Sequence, residues 1–248
     1  MKKTMILLTA LALSACSSQP KVSEDMTEGG NQCYQEGNQE RSVRLDLIRQ
    51  LVDGGQYYSA LAHLEREPFE SEGAQLLAAE SLRKTGQLER SASVYKRLQK
   101  GCLRAFGHLG RGKVLAVQGK LGDALPELKK ARDILPTDAN IRNDYGFTLL
   151  ASGDFAAARQ EFVTAIQLDN NLSIAARNLV LSLILSGDTE MAWTVASHHA
   201  MSPGDFQDLM GRAAQFQKQL DKQRVAHLLN NPDTGIDRPI LVRKGSSL

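Results

Sequence analysis

The sequence predicts an all-α protein made of about five stacked helical hairpins and closed by a C-terminal capping helix. A turn glycine recurs along the chain, and successive copies stand 31, 33, 34 and 34 residues apart. Before each of these glycines, apolar residues are spaced three and four apart, as expected of helices with one buried face. The 248-residue chain is 42% hydrophobic and only 5% aromatic, which is typical of a helix-rich soluble protein. The turn glycines are Gly55, Gly86, Gly119, Gly153 and Gly187.

The clearest repeat unit lies at residues 139–172. Within it, Gly146 is the eighth residue, Ala158 the twentieth and Phe162 the twenty-fourth. This spacing resembles that of the tetratricopeptide repeat (TPR), in which two helices form a hairpin and small residues let the helix axes approach closely. One hairpin cannot bury its own apolar faces, so the interpretation requires neighbouring hairpins of the same kind.

Four further segments follow the same pattern around their turn glycines, and the last of them follows it least well. The predicted TPR array spans residues 41–206, with hairpins at 41–71, 72–104, 105–138, 139–172 and 173–206. The glutamine-rich segment 207–230 has a helical pattern and is predicted to cap the array, because a terminal helix must cover an apolar face and meet water. Residues 231–248 contain several prolines and glycines and predict a disordered tail.

The N-terminus has the features of an export signal. Lys2 and Lys3 precede an apolar run from Met5 to Leu13, which is too short to span a bilayer. We therefore predict a signal peptide at residues 1–15.

The four residues that end at Cys16, Leu-Ser-Ala-Cys, resemble the lipobox of bacterial lipoproteins. The resemblance implies cleavage before Cys16 and acylation of this cysteine; the alternative is an ordinary secretory signal with a chance cysteine. Because Ser17 rather than aspartate follows, the resemblance implies the periplasmic face of the outer membrane, with the protein held by lipid. Residues 16–40 are polar and predict a lipidated N-terminus followed by a flexible tether.

The charge balance bears on the class of partner. Without residues 1–15 the chain has 28 basic and 28 acidic side chains. A chain with no net charge has no electrostatic basis for binding nucleic acid. We therefore expect no nucleic-acid partner.

Two cysteines remain besides Cys16. A disulfide between Cys33 and Cys102 is one alternative for an exported chain. Cys33 lies in the predicted tether and Cys102 in a predicted turn, so the sequence favours two unpaired cysteines.

Patterns for catalysis and metal binding are incomplete in this sequence. Residues 107–114 fit G-x-x-x-x-G-K, but valine follows where a P-loop needs serine or threonine, and the segment lies in a predicted helix. The five histidines form no zinc-ligand pattern. We therefore expect a protein that is not an enzyme and has no cofactor, metal site or small-molecule substrate.

The predicted array has a groove along its concave face. In stacks of this kind the first helix of each hairpin lines the groove, chiefly through its second, fifth, ninth, twelfth and thirteenth positions. These positions are apolar here, with a few amides and one arginine, and they suit an amphipathic helix or an extended peptide. The alternative for each residue is a place in the core between helices. The predicted partner groove consists of Phe106, Leu109, Asn140, Asn143, Phe147, Leu150, Ile174, Arg177, Leu181 and Ile184.

The combination of lipobox, tether and array resembles the TadD family, the TPR lipoproteins of the tight-adherence (Flp) pilus assembly system. The stretches Arg-Asn-Asp-Tyr-Gly at 142–146 and Ala-Ala-Arg-Asn-Leu at 175–179 contribute most to the resemblance. It implies a pilotin-like scaffold whose partner is the secretin or another pilus assembly component. The alternatives are a type IV pilotin-like secretin assembly lipoprotein and a periplasmic adaptor of cell-wall hydrolases.

Overall fold

The computed structural model describes residues 32–66 and 69–230, with the side chains of the last helix described up to residue 222. These ranges contain eleven α-helices and no strand, which confirms the predicted fold class. The helices are α1 (Gln39–Asp53), α2 (Tyr57–Arg66), α3 (Glu72–Lys84), α4 (Leu88–Leu98), α5 (Arg104–Val117), α6 (Leu121–Ile134), α7 (Ala139–Ala151), α8 (Phe155–Leu168), α9 (Ser173–Leu185), α10 (Thr189–His198) and α11 (Pro203–Asn230).

The first ten helices form five hairpins, and α11 follows alone. Within the described ranges, no helix combines the length and the apolar character needed to cross a membrane. The predicted signal peptide, the lipidation site Cys16 and the predicted tail at 231–248 lie outside the described residues.

Each hairpin turns at one of the five recurring glycines. All five have positive φ angles between 75° and 88°, a conformation that glycine adopts without a Cβ clash. In the fourth hairpin, the amide of Asp154 donates to the carbonyl of Leu149 at 3.0 Å and closes the end of α7. The Asp154 carboxylate then accepts from the Ala157 amide at 3.0 Å, so the same residue caps the start of α8.

The two helices of a hairpin, and of adjacent hairpins, approach closely where a small residue faces a large one. A Cβ atom built on Gly146 would lie 2.9 Å from Phe162, and one built on Gly110 would lie 2.0 Å from Tyr95. Phe162 and Tyr95 are among the largest fully buried side chains of the described residues. The glycines therefore provide the space that these rings fill.

A disulfide joins the N-terminal segment to the middle of the array, which corrects the expectation of unpaired cysteines. Cys33 and Cys102 are bonded, with their Cα atoms 6.1 Å apart and a sequence separation of 69 residues. The fold brings them together because the loop before α5 lies beside the start of α3. There, the Gly73 amide donates to the Cys33 carbonyl at 2.7 Å, and the Leu103 amide donates to the Glu72 carboxylate at 2.8 Å.

Polar contacts also hold residues 32–38 against α1 and the start of α3. The Glu36 carboxylate is buried and accepts from the backbone amides of Glu70 and Ser71, both at 3.1 Å. The Tyr34 ring lies 4.6 Å from the guanidinium carbon of Arg49. The predicted tether extends to residue 40, but residues 32–38 pack on the folded array.

Helix α11 begins earlier than the predicted capping helix at 207–230. Ser202 and Asp205 cap each other: the Ser202 hydroxyl accepts from the Asp205 amide at 3.1 Å, and the Asp205 carboxylate accepts from the Ser202 amide at 3.2 Å. Pro203 is the first residue of this helix, a position where its missing N–H costs nothing.

Loss of the disulfide should destabilise the chain. We expect Cys102→Ser to lower the free energy of unfolding by about 2–5 kcal/mol, because the cross-link restricts the unfolded chain. Urea unfolding followed by circular dichroism measures this difference. Wild-type protein in reductant and the Cys33→Ser/Cys102→Ser double variant should match the single variant; unfolding of all four at one urea concentration would contradict the bond.

The packing of Gly110 against Tyr95 gives a second stability prediction. We expect Gly110→Ala to lower the free energy of unfolding by about 1–3 kcal/mol, because the added methyl group overlaps the buried ring. Gly211→Ala is the matched control, since nothing lies within 4 Å of a Cβ at this position in α11. It should raise the free energy of unfolding by up to about 1 kcal/mol through helix propensity alone. Thermal unfolding of both variants measures the difference, and equal effects would contradict the proposed clash.

Candidate partner-binding groove

The first helices of the hairpins line one face of the array. Each contacts the first helix of the next hairpin, from α1 to α3, α3 to α5, α5 to α7 and α7 to α9. We call this surface the inner face. It is the surface on which the predicted partner groove lies.

The ten predicted groove residues differ in their exposure. Asn140, Phe147 and Ile174 are exposed, and Phe106, Leu109, Arg177 and Ile184 are partly buried. The other three, Asn143, Leu150 and Leu181, are buried and contribute to the core between helices. The structure therefore places most of the predicted set at the inner surface and three members beneath it.

Asn143 is buried because it pairs with another amide. Its side-chain oxygen accepts from the Asn178 amide nitrogen at 2.9 Å, so the two side chains join α7 to α9. A buried amide with a partner of this kind stabilises the contact between hairpins and is not available to a ligand.

Leu150 and Leu181 are buried in the largest core cluster, which also contains Leu209 and Ala213 of α11. Helix α11 lies along the inner face with one narrow apolar stripe toward it. The spacing of the stripe alternates between three and four residues, as in a helix that meets another helix along a narrow seam. The stripe consists of Phe206, Leu209, Ala213, Phe216 and Leu220.

The start of α11 is fixed by polar and aromatic contacts as well. Arg177, a predicted groove residue, donates from Nη1 to Oδ1 of Asp205 at 2.8 Å. The ring of Phe206 meets the ring of Trp193 edge-on, with centroids 5.1 Å apart. The guanidinium that the sequence assigned to a partner is therefore engaged by the chain's own last helix.

Farther along α11 the contact with the array is looser. Phe216 and Leu220 face Val117, Phe147 and Ala151 across a cavity of about 270 Å³. We call this space the α11 gap. Val117 is 63% exposed and Phe147 38% exposed, so the second half of α11 leaves part of the inner face uncovered.

A second recess lies nearer the N-terminus, between α3 and α5. This α3–α5 cleft has a volume of about 240 Å³. It carries Glu80 and Lys113 beside an apolar lining that includes Leu76, Leu77, Phe106 and Leu109. The prediction from sequence included Phe106 and Leu109 but missed α3, although Leu76 and Glu80 occupy the fifth and ninth positions of its unit. The same positional rule, applied to the second hairpin, would have found them.

Charged side chains of the α3–α5 cleft are held in pairs. Burial opposes ionisation of Glu80, but the hydrogen bond and charge of Arg83 bring its pKa below the usual value. Burial, and then the charge of Glu80, raise the pKa of Tyr95, whose hydroxyl donates to Glu80 at 2.8 Å. Lys113 donates to Asp144 at 2.8 Å. The cleft therefore presents fixed charges of both signs beside its apolar lining.

In the part of the chain that the structure describes, the P-loop-like segment has a structural role and no metal-binding group is present. Residues 107–114, which resemble a P-loop in spacing, form part of α5, where Gly110 packs against Tyr95 and Gly112 against Leu128. No group of three or more His, Cys, Asp or Glu side chains in the described ranges is arranged to hold a metal ion.

Comparisons with known proteins support the repeat assignment. A family model described as tetratricopeptide repeat matches residues 115–183. The TPR repeat-containing protein PA4299 of Pseudomonas aeruginosa is 31% identical over 206 residues, which cover 83% of this chain and 82% of that protein.

Solved structures share the fold at lower identity. The crystal structure of TTC0263, a thermophilic TPR protein of Thermus thermophilus, has a TM-score of 0.57 at 21% identity, over 70% of this chain and 97% of that one. A MamA double mutant (RS-1 ArsTM) has a TM-score of 0.50 at 17% identity, over 69% and 95%. At these identities the similarity concerns the fold alone.

The contacts of Asp205 predict a pH-dependent attachment of α11. The hydrogen bonds from Arg177 and then from Ser202 lower the pKa of Asp205 to about 2, below the ordinary 3.8. A carboxyl with a lowered pKa stabilises the fold above its ordinary pKa, and this contribution is lost as the pH falls toward 2. Amide hydrogen exchange in the first turns of α11 should therefore be faster in Asp205→Asn than in the wild type at pH 6, with little difference near pH 2.

Asp208→Asn is the control for this comparison, because Asp208 is an exposed acid in the same region of α11. It removes the same charge and should leave exchange close to that of the wild type. Equal acceleration in both variants would show that loss of charge alone, without the contacts of Asp205, explains the effect.

Proposed function

This chain belongs to the tetratricopeptide-repeat family, whose members bind protein partners, and we propose that it is a lipid-anchored scaffold for pilus assembly at the outer membrane. A partner polypeptide binds along the inner face. The finer parts of this proposal are the membrane, the anchor and the pilus, and each has separate support.

The α3–α5 cleft is the observation on which partner binding at the inner face rests. Its apolar lining suits one or two large apolar side chains of a bound segment, and burial of such side chains is the main favourable contribution to binding. Glu80 and Lys113 lie beside this lining, where they can select polar groups of the same segment. The neutral balance of charge after removal of residues 1–15 favours a protein partner over nucleic acid.

Export from the cytoplasm is supported by the disulfide between Cys33 and Cys102. Structural disulfides persist in oxidising compartments such as the bacterial periplasm and are rare in the cytosol. The lipobox-like residues up to Cys16 add the anchor to the proposal. Cys33 stands seventeen positions after Cys16, a stretch that as a flexible chain reaches roughly 20–25 Å. The array would therefore lie close to the membrane surface.

The pilus assignment is supported by the combination of anchor, tether and array rather than by particular residues. In the structure, the two stretches that resemble the TadD family make internal contacts. Arg142 donates to the buried Glu161 at 2.8 Å, and Gly146 packs against Phe162. Asn178 of the second stretch bonds Asn143. These residues stabilise the hairpins, and they would recur in many TPR chains.

Substitution in the cleft tests the proposal. We expect Leu109→Asn to reduce capture of the partner from detergent-solubilised envelope by at least about tenfold, because it places an amide in the apolar lining. Quantitative mass spectrometry of the captured proteins measures the change. Val163→Asn is the matched control: Val163 is 40% exposed on α8, a second helix away from the inner face.

The identity of the captured proteins separates the candidate functions. Secretin and pilus subunits support the scaffold for Flp pilus assembly, or the related type IV pilotin-like role if the secretin belongs to that system. Peptidoglycan hydrolases support the adaptor. Capture by Leu109→Asn at the level of the wild type would place the binding surface elsewhere.

A further inference from the structure

Helix α11 consists of two parts that differ in how they are held. The first part, residues 203–212, is capped by Ser202 and tied to α9 by Arg177, and Leu209 is 1% exposed. In the second part, residues 213–222, only Ala213 is buried; Phe216, which packs at the edge of the largest core cluster, and Leu220 are half-buried above the α11 gap. The remaining side chains of this part are exposed. A helix segment with so little buried apolar surface opens at small cost in free energy.

Gly211 lies at the boundary between the two parts. It is exposed, and nothing lies within 4 Å of a Cβ built there, so packing does not require a glycine. Glycine in a helix interior costs about 1 kcal/mol relative to alanine. The helix is therefore intrinsically weakest where the well-packed part ends.

The surface beneath the second part continues the α3–α5 cleft. Leu109 and Lys113 line the cleft, and Ala116 and Val117 line the α11 gap on the same helix, α5. Leu109 and Val117 are eight residues apart, which is about 12 Å along a helix. With the second part of α11 lifted, the inner face would present an apolar track from α3 to Phe147 on α7, interrupted by the ion pair of Lys113 with Asp144.

We propose that residues 213–222 of α11 occupy, within the same chain, the binding site for an amphipathic helix of the partner, and that the partner displaces them. The inference rests on partner binding at the inner face, as set out under the proposed function. Recognition would depend on large apolar residues spaced alternately three and four apart, because this is the pattern that the surface already accepts from α11. Such helix-in-groove recognition reads one face of the ligand helix.

Residues 213–222 belong to the same polypeptide as the surface that they cover, and this explains how a weakly packed helix segment can occupy the site. A tethered segment competes at an effective concentration in the millimolar range, so it excludes free ligands of modest affinity without extensive contacts. Loosening the second part should therefore raise the apparent affinity for a free helix, because the fraction of open chains increases.

Peptide binding to the full chain tests this inference. The probe is a fluorescein-labelled synthetic peptide with the sequence of residues 205–222, and fluorescence anisotropy measures its binding. We expect Phe216→Glu to bind the probe at least about tenfold more tightly than the wild type, because the charge expels its own segment from the apolar gap. Gln215→Glu, on the exposed side of α11, adds the same charge and should bind like the wild type.

Two further measurements keep the result interpretable. Amide hydrogen exchange at residues 213–222 should accelerate in Phe216→Glu and stay unchanged in Gln215→Glu, which shows that the segment has opened. Leu220→Glu, at the far end of the stripe, is a second variant if Phe216→Glu perturbs the core. A control probe with serine at its Phe216 and Leu220 positions should bind neither Phe216→Glu nor Leu220→Glu.

Three outcomes would overturn the inference. The first is faster exchange with no gain in probe binding. The second is a wild-type dimer in light scattering that dissociates in Phe216→Glu, which would make a second copy of the chain the occupant. The third is tight probe binding by a chain that ends at Asn230, which would make residues 231–248 the occupant. Loss of envelope capture in Leu109→Asn alongside any of these outcomes would leave the proposed function intact.

Discussion

The structure depends on the close approach of neighbouring helices at a few pairs of small and large residues. At Gly110 and Gly146 there is no room for even one methyl group, because Tyr95 and Phe162 fill the space. The contact at Gly110 fixes how the third hairpin sits on the second, and the contact at Gly146 fixes how the two helices of the fourth hairpin pack, since a close-packed core has little free volume. The inner face follows from such contacts: successive first helices come side by side, and their outward positions form a continuous surface.

The fold could be predicted from the sequence because its determinants are local. A turn glycine with positive φ and apolar residues at helical spacing are visible within one unit, and repetition multiplies the signal. The disulfide could not be predicted in this way. Cys33 and Cys102 are 69 residues apart, and they meet because the segment before α1 folds against the start of α3, beside the loop between α4 and α5. The polar sequence before α1 also hid the buried Glu36, whose partners are two backbone amides and the Ser71 hydroxyl, a set that leaves no sequence pattern.

The predicted groove residues also differ in how far the sequence could place them. Phe106, Leu109 and Phe147, predicted from their position within the unit, are partly buried or exposed and line the α3–α5 cleft or the α11 gap. Leu150 and Leu181 are buried in a cluster that also includes residues of α11, which is a single helix outside the repeat and therefore outside the rule. An apolar stripe on a terminal helix predicts that the helix packs against an apolar surface. Which surface it covers, and in which direction it runs, depends on the assembled array.

The attachment of Cys33 to Cys102 determines how mechanical load would pass through the molecule. A pull on the chain before Cys33 enters the array at the loop between α4 and α5, so it bypasses the backbone of the first two hairpins. Tension between that point and the later repeats stretches only the helices from α5 onward. The hairpins α1–α2 and α3–α4 form a closed, unloaded loop, and one wall of the α3–α5 cleft would keep its shape while the other bears the force.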